Sequence, residues 1–165
     1  MNNEIVWSPP EEIVKNSKLT KFLKFCKLSD YDELEKKSYA DPGWLWDNVI
    51  KFSDLKFYQS YEKIMDESKG APWTKWCVGG KTNIVLNCID RHKEKKFFSE
   101  TFIFAEKEDG TKSSITYEEF NKQISKVGNA LKINGFQKGD VIALYMPQFI
   151  ETYIAYFAIL KIGCI

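Results

Sequence analysis

Gly79-Gly80-Lys81-Thr82 is the stretch whose residue types come nearest to phosphate chemistry. In a phosphate-binding loop the backbone amides cradle the anion and a lysine neutralises it, within the pattern GxxxxGK[ST]. That pattern needs glycine at position 75, where this chain has Lys75, and an apolar strand leading in. An ordinary glycine turn is the expectation. His92 has the chemistry of a general base and Cys88 that of a nucleophile. Their neighbours in sequence supply neither a partner nucleophile nor a reason for a low thiol pKa, so a hydrogen-bonded structural histidine and a small buried cysteine are expected. Cys26, Cys77, Cys88 and Cys164 form no CxxC pair, and one histidine cannot complete a zinc cluster. No metal site is expected.

Arg91 stands out because it is the one arginine among 24 basic residues. Guanidinium pairs in a planar, bidentate way that lysine cannot match, which suggests a specific structural ion pair joining the two halves of the chain. Lys138 and Asp140 read as shaping a solvated turn. Trp44, Trp46, Trp73 and Trp76 read as packing residues, although aromatic rings can also stack on a base.

The elements that must position these residues follow from periodicity and punctuation. A chain of 165 residues with 44% hydrophobic and 15% aromatic content is long and apolar enough to bury a core. A formal charge of +1 gives no global field for nucleic acid or an anionic membrane. The most apolar segment, residues 141–165, is interrupted by Pro147, Gln148, Glu151 and Lys161 and reads as a buried helix rather than a membrane span. The N-terminus lacks a basic segment followed by an apolar core, and free cysteines suit a reducing compartment, so a cytoplasmic protein is expected.

Pro9 and Pro10 precede one amphipathic helix with Ile13, Leu19, Phe22 and Leu23 on a face. Asp41 caps a second helix with Pro42 at its first position and Trp44, Leu45, Val49 and Phe52 following. Residues 68–82 read as a glycine-rich loop and boundary. Beyond it, TFIFAE at 101–106 is a strand, Glu108-Asp109-Gly110 a hairpin turn, and Ser114-Ile115 the returning strand. Thr116 and Glu119 form a capping box for a helix with Phe120, Ile124, Val127 and Leu131 inward, stopped at Asn134-Gly135. Residues 141–146 read as a strand buried on both faces, and 149–161 as a helix apolar nearly all round. The fold class is α/β with a parallel pair, whose ligands would sit near Met146-Pro147.

Three stretches together resemble a family: KWCVGGKTNIVLNCIDRH at 75–92, ITYEEF at 115–120, and GFQKGDVIALYMPQ…ETYIAYFAILKIG at 135–163. They resemble the AMP-forming acyl-CoA synthetases of the adenylate-forming superfamily, closest to the acetyl-CoA and acetoacetyl-CoA synthetase-like short-chain enzymes. IVWSPPEEIVKNSKLTKF near the N-terminus and YDELEKKS at 31–38 are similar to the same group. The resemblance implies residues 1–82 as a helical N-terminal extension and 83–165 as the beginning of the AMP-binding, adenylating domain. It implies conversion of a short-chain carboxylic acid, ATP and coenzyme A into acyl-CoA, AMP and pyrophosphate, with Mg2+ as cofactor. The phosphate loop, nucleotide motifs and late lysine of the family have no counterpart in these residues. No catalytic, cofactor-binding or metal residue is therefore assigned, and the chain by itself is expected to be inactive. The remainder of the adenylating enzyme would be its partner; a non-catalytic interaction module or an inactive remnant is the alternative. Expressed by itself, the chain should associate through its apolar strand and helix at 141–161; light scattering from a monodisperse, cooperatively melting monomer would contradict that.

Overall fold

The computed structural model describes residues 5–165, which form two compact units. The first comprises the chain up to Leu55 together with Tyr61–Gly79, and the second comprises Lys56–Ser60 and Gly80–Ile165.

The first unit begins with helices α1 (Glu11–Asn16) and α2 (Lys18–Cys26). The single amphipathic helix expected here is broken at Ser17, whose extended backbone lets its Oγ accept the Thr20 N–H at 3.0 Å and cap α2. The expected apolar stripe is broken with it: Phe22 is buried, while Ile13 and Leu19 are exposed. Helix α3 (Tyr31–Ala40) starts at Asp30, which accepts the Glu33 N–H at 2.9 Å, while Glu33 accepts the Ser29 N–H at 2.8 Å. Helix α4 (Pro42–Phe52) has Asp41 accepting the Trp44 N–H at 2.8 Å and Pro42 in the first turn, as its sequence dictates. Phe52 packs edge-on to Phe22 at 5.2 Å and against Phe25 at 5.5 Å, which is how α2 and α4 adhere.

Residues 68–82 are not the continuous loop that their glycines suggested. Strands β1 (Lys63–Asp66) and β2 (Lys75–Val78) pair antiparallel with Met65 opposite Trp76. Gly43 lies under this hairpin: a Cβ there would come within 3.3 Å of Ile64 Cγ2, so α4 and β1 meet at near-backbone contact.

The second unit is built on helix α5 (Ile84–Cys88), the antiparallel strands β3 (Thr101–Glu106) and β4 (Lys112–Thr116), and helices α6 (Tyr117–Ile133) and α7 (Ile150–Lys161). Thr116 Oγ1 accepts the Glu119 N–H at 3.1 Å, while the Glu119 carboxylate takes the Gln123 amide. At the other end Gly135 has φ +91°, and the Phe136 N–H reaches back to the Leu131 carbonyl at 3.1 Å, closing a left-handed stop. Val85, Ile89, Phe120, Ile124 and Ala158 form the buried core, with Phe102, Ile115 and Phe157 packed around it. The bare Cα of Gly128 lets α6 approach α7, since a Cβ there would meet Ile162 Cγ2 at 3.2 Å.

Residues 141–146, expected as a strand, form none and pair over one rung only. The Ile142 N–H donates to the Ile165 carbonyl and the Ile165 N–H to the Asp140 carbonyl, both at 2.8 Å. One residue bonding to both neighbours of its opposite is the parallel pattern, but no strand forms there, and both sheets among the described residues are antiparallel pairs rather than the expected parallel one. The expected burial on both faces is absent: Val141 and Tyr145 are exposed. Helix α7 likewise buries one side, Ala158 and Ile159, and leaves Tyr153 and Tyr156 exposed.

This packing predicts that Phe120→Ala destabilises the second unit by about 3–5 kcal/mol. Phe104→Ala, on the exposed side of β3, should cost less than about 0.5 kcal/mol. Urea unfolding of the two variants beside the parent chain measures the difference.

Candidate functional site

The segment from Asn83 to His92 holds the residues whose types most suggest chemistry. Val85 and Ile89, four residues apart on and just beyond α5, point into the core and are essentially inaccessible. The polar residues Asn83, Asn87 and Asp90 recur three to four positions apart and reach elsewhere. Asn83 caps α5 by accepting the Val85 N–H at 2.9 Å and donates through Nδ2 to the Leu160 carbonyl at 2.6 Å. One side chain thus satisfies the start of α5 and a last-turn carbonyl of α7. Asn87 Oδ1 accepts the Lys56 N–H at 2.8 Å, and its Nδ2 donates to the Lys56 carbonyl at 3.0 Å and to Thr82 Oγ1 at 3.1 Å.

Asp90 lies between two ammonium groups. Lys161 Nζ meets both carboxylate oxygens at 3.0 and 3.1 Å, and Lys93 Nζ meets Oδ1 at 2.8 Å. Burial pushes this carboxyl up, but the hydrogen bonds and charges of Lys93 and Lys161 outweigh it and hold the group below its ordinary 3.8. The Arg91 Nε–H donates to His92 Nε2 at 3.3 Å. The imidazole also rests against Phe97 at 5.2 Å between ring centres. Burial lowers the His92 pKa, helped by the positive charges of Arg91 and Lys95 and opposed by its hydrogen bond to the Asn87 backbone. The ring that accepts from Arg91 is therefore neutral at physiological pH. Cys88, expected inside, is exposed.

The other singled-out residues also serve the fold. Gly79 has φ +78° and faces the Glu62 carboxylate, with a built Cβ 3.3 Å from Glu62 Oε1, an arrangement hostile to phosphate. Lys81 uses its N–H on the Gln59 carbonyl at 2.9 Å, so that amide is not turned toward an anion. Gly79 is a turn residue, and Lys81 forms an isolated antiparallel bridge with Gln59. Asp140 accepts the Gln137 N–H at 2.7 Å, and the stem of Lys138 packs where a Gly163 side chain would be. Trp46 meets Trp76 edge-on at 5.9 Å, and Lys37 Nζ lies 4.2 Å from the centre of the Trp44 ring.

An open cleft of about 1180 Å³ lies beside Pro147, at the end of the 141–146 segment, between the β3–β4 turn and the start of α7. Its acids, Glu106, Glu108, Asp109, Glu119 and Glu151, outnumber Lys107, which sits over the Phe149 ring at 5.3 Å. A wall of that sign does not attract a nucleotide. Among the described residues no three His, Cys, Asp or Glu side chains converge to hold a metal ion. No helix among them is long and apolar enough to cross a membrane.

Residues 89–165 match the AMP-binding enzyme family, and residues 31–88 match the family described as acetyl-coenzyme A synthetase N-terminus. The two matches adjoin, so residues 31–165 resemble the AMP-binding enzymes and their acetyl-coenzyme A synthetase N-terminus without a break. Among its curated relatives are acetyl-coenzyme A synthetases from Chlorobaculum tepidum, 31% identical over 95% of this chain, and Methanothrix soehngenii, 32% identical over 96%. The chain spans 22% and 24% of their respective lengths. The fold matches that of acetoacetyl-CoA synthetase from Streptomyces lividans with a TM-score of 0.86 and 18% identity, over 96% of this chain and 25% of that one. The helices and small sheets described above thus share the fold of about a quarter of that structure. Sequence reasoning singled out Arg91 and His92 in this family segment but missed Asn83, Asn87 and the Asp90–Lys161 pair. Their spacing against Val85 and Ile89 was the available signal.

Because the folded Asp90 carboxyl ionises below 3.8, its contribution is present above that value and is lost as pH falls through the folded pKa. Asp90→Asn should flatten this part of the acid limb of a stability-versus-pH curve. At pH 7 the variant should cost about 1.5–3 kcal/mol, the range for a charged hydrogen bond, as read by urea midpoints.

Proposed function

We propose that this chain is the amino-terminal portion of an ATP-dependent, AMP-forming acyl-CoA synthetase acting on a short-chain acid, acetate first among them. The carboxylate oxygen attacks the α-phosphorus of ATP, the α–β phosphoanhydride bond breaks, and pyrophosphate leaves. The thiolate of coenzyme A then attacks the acyl carbon, AMP leaves with the bridging oxygen, and the thiol proton goes to solvent. The observation that supports this reading is the match running without interruption from residue 31 to residue 165 across two adjoining families.

Within that enzyme the chain supplies scaffold. Residues 1–82 are the extension and 83–165 the opening of the adenylating domain. Phosphoryl chemistry needs convergent amides, cations and Mg2+ aimed at developing charge. The spent amide of Lys81 and the acidic cleft at Pro147 support the reading that ATP, with its Mg2+, and coenzyme A are bound by the remainder of the enzyme, its natural partner. A cytoplasmic location suits four free thiols and substrates of this kind.

The test is acid-dependent exchange of labelled pyrophosphate into ATP. The complete polypeptide containing this chain should support exchange with acetate or another short acid, while the 165-residue chain by itself should give only background. Absence of exchange with every short acid tried would overturn the reading for the complete polypeptide; exchange by the chain itself would overturn the scaffold role.

A further inference from the structure

Lys56–Ser60 belongs to the second compact unit, yet the chain on both sides of it belongs to the first. Of its five residues only Phe57 is half-buried, and Lys56, Tyr58, Gln59 and Ser60 are exposed. A segment with so little apolar burial depends on its hydrogen bonds. Toward its middle, the Tyr58 and Gln59 N–H groups donate to the Lys81 carbonyl at 2.8 and 3.3 Å, and the Lys81 N–H returns to the Gln59 carbonyl at 2.9 Å. At its start, the Asn87 carboxamide pairs with both peptide groups of Lys56, taking the N–H and giving to the carbonyl. Thr82 Oγ1 donates to that same carbonyl at 2.8 Å.

We infer that Lys56–Ser60 is a strap that lifts off and re-seats as one piece while the core of its unit stays folded, and that the Asn87 carboxamide is its latch. A planar amide imitates the edge of a neighbouring strand, because it offers a donor and an acceptor side by side. Aspartate loses the donor and sets a charged oxygen against the Lys56 carbonyl; alanine loses both groups. The latch is mounted on a fixed base, since Val85 and Ile89 hold α5 in the core on either side of position 87. Asn87 is a positioning residue and touches no reacting atom.

Hydrogen exchange resolved by residue, on the intact chain with urea raised below the unfolding transition, tests both parts. The Lys56, Tyr58, Gln59 and Lys81 amides should exchange through openings insensitive to urea, because lifting the strap exposes little surface. The Phe120 and Ile124 amides of α6 should exchange through urea-dependent opening. Shared urea dependence would mean that the strap opens only with the core, which overturns the proposal. Asn87→Ala should speed exchange on the order of ten-fold at Lys56 and Tyr58, the effect of losing one to two hydrogen bonds. Exchange at Phe120 and Ile124, and the thermal midpoint, should stay as in the parent, with Asn87→Asp behaving likewise. Equal acceleration in α6, none at the strap, or an Asn87→Ala chain that fails to fold would each show that Asn87 is not a separable latch.

Discussion

Burial of Val85 and Ile89 against Phe120, Ile124 and Ala158 turns a helix of five residues into a fixed part of the second unit. A helix that short does not persist in water by itself, because nucleation costs more than one turn returns. Two fully buried aliphatic side chains contribute about 1.5–3 kcal/mol each, enough to reverse that balance. Once α5 is seated, its polar side has no freedom left: Asn83 meets the end of α7, Asn87 meets Lys56, and Asp90 meets Lys161. Each of these bonds links residues far apart in sequence, and each depends on the same apolar anchor. Removing the anchor would release three contacts together.

Where local rules and burial agreed, the fold was legible in the sequence. The Asp41-Pro42 start of α4, the Thr116 cap and the Asn134-Gly135 stop of α6, and the 108–110 turn all stand where their residue types put them. The misreadings share a physical cause. Ser17 competes for backbone amides in the middle of an apolar pattern, and that competition split one expected helix into two. β1 and β2 each have four residues, too few for alternation to register, and glycines on either side of β2 masked the pairing. Helix α3 carries an acidic cap with glutamate three positions on, a start signal the polar character of YDELEKKS hid. For 141–146 the composition of a buried strand misled: the segment forms no strand and is mostly exposed, because pairing and burial both depend on neighbours that composition does not supply.

The candidate site was less legible than the fold. Arg91, His92 and Cys88 drew notice because their types are rare or reactive, whereas the residues that organise the segment are two asparagines and an aspartate of ordinary kind. Their partners, Leu160, Lys161 and Lys56, are 77, 71 and 31 positions away, beyond the reach of any periodicity argument. Family resemblance reached further, because a run such as NCIDRH preserves the outcome of such pairings without revealing them.

The edge-on contact of Trp46 with Trp76 belongs to a wider asymmetry. All five tryptophans, at 7, 44, 46, 73 and 76, fall in the first unit, and the second has none. Indole emission therefore reports on one body of the chain alone, while the other is visible only through tyrosine and phenylalanine. Nature has labelled half of this polypeptide, so loss of one unit's structure can be followed optically without any probe being attached.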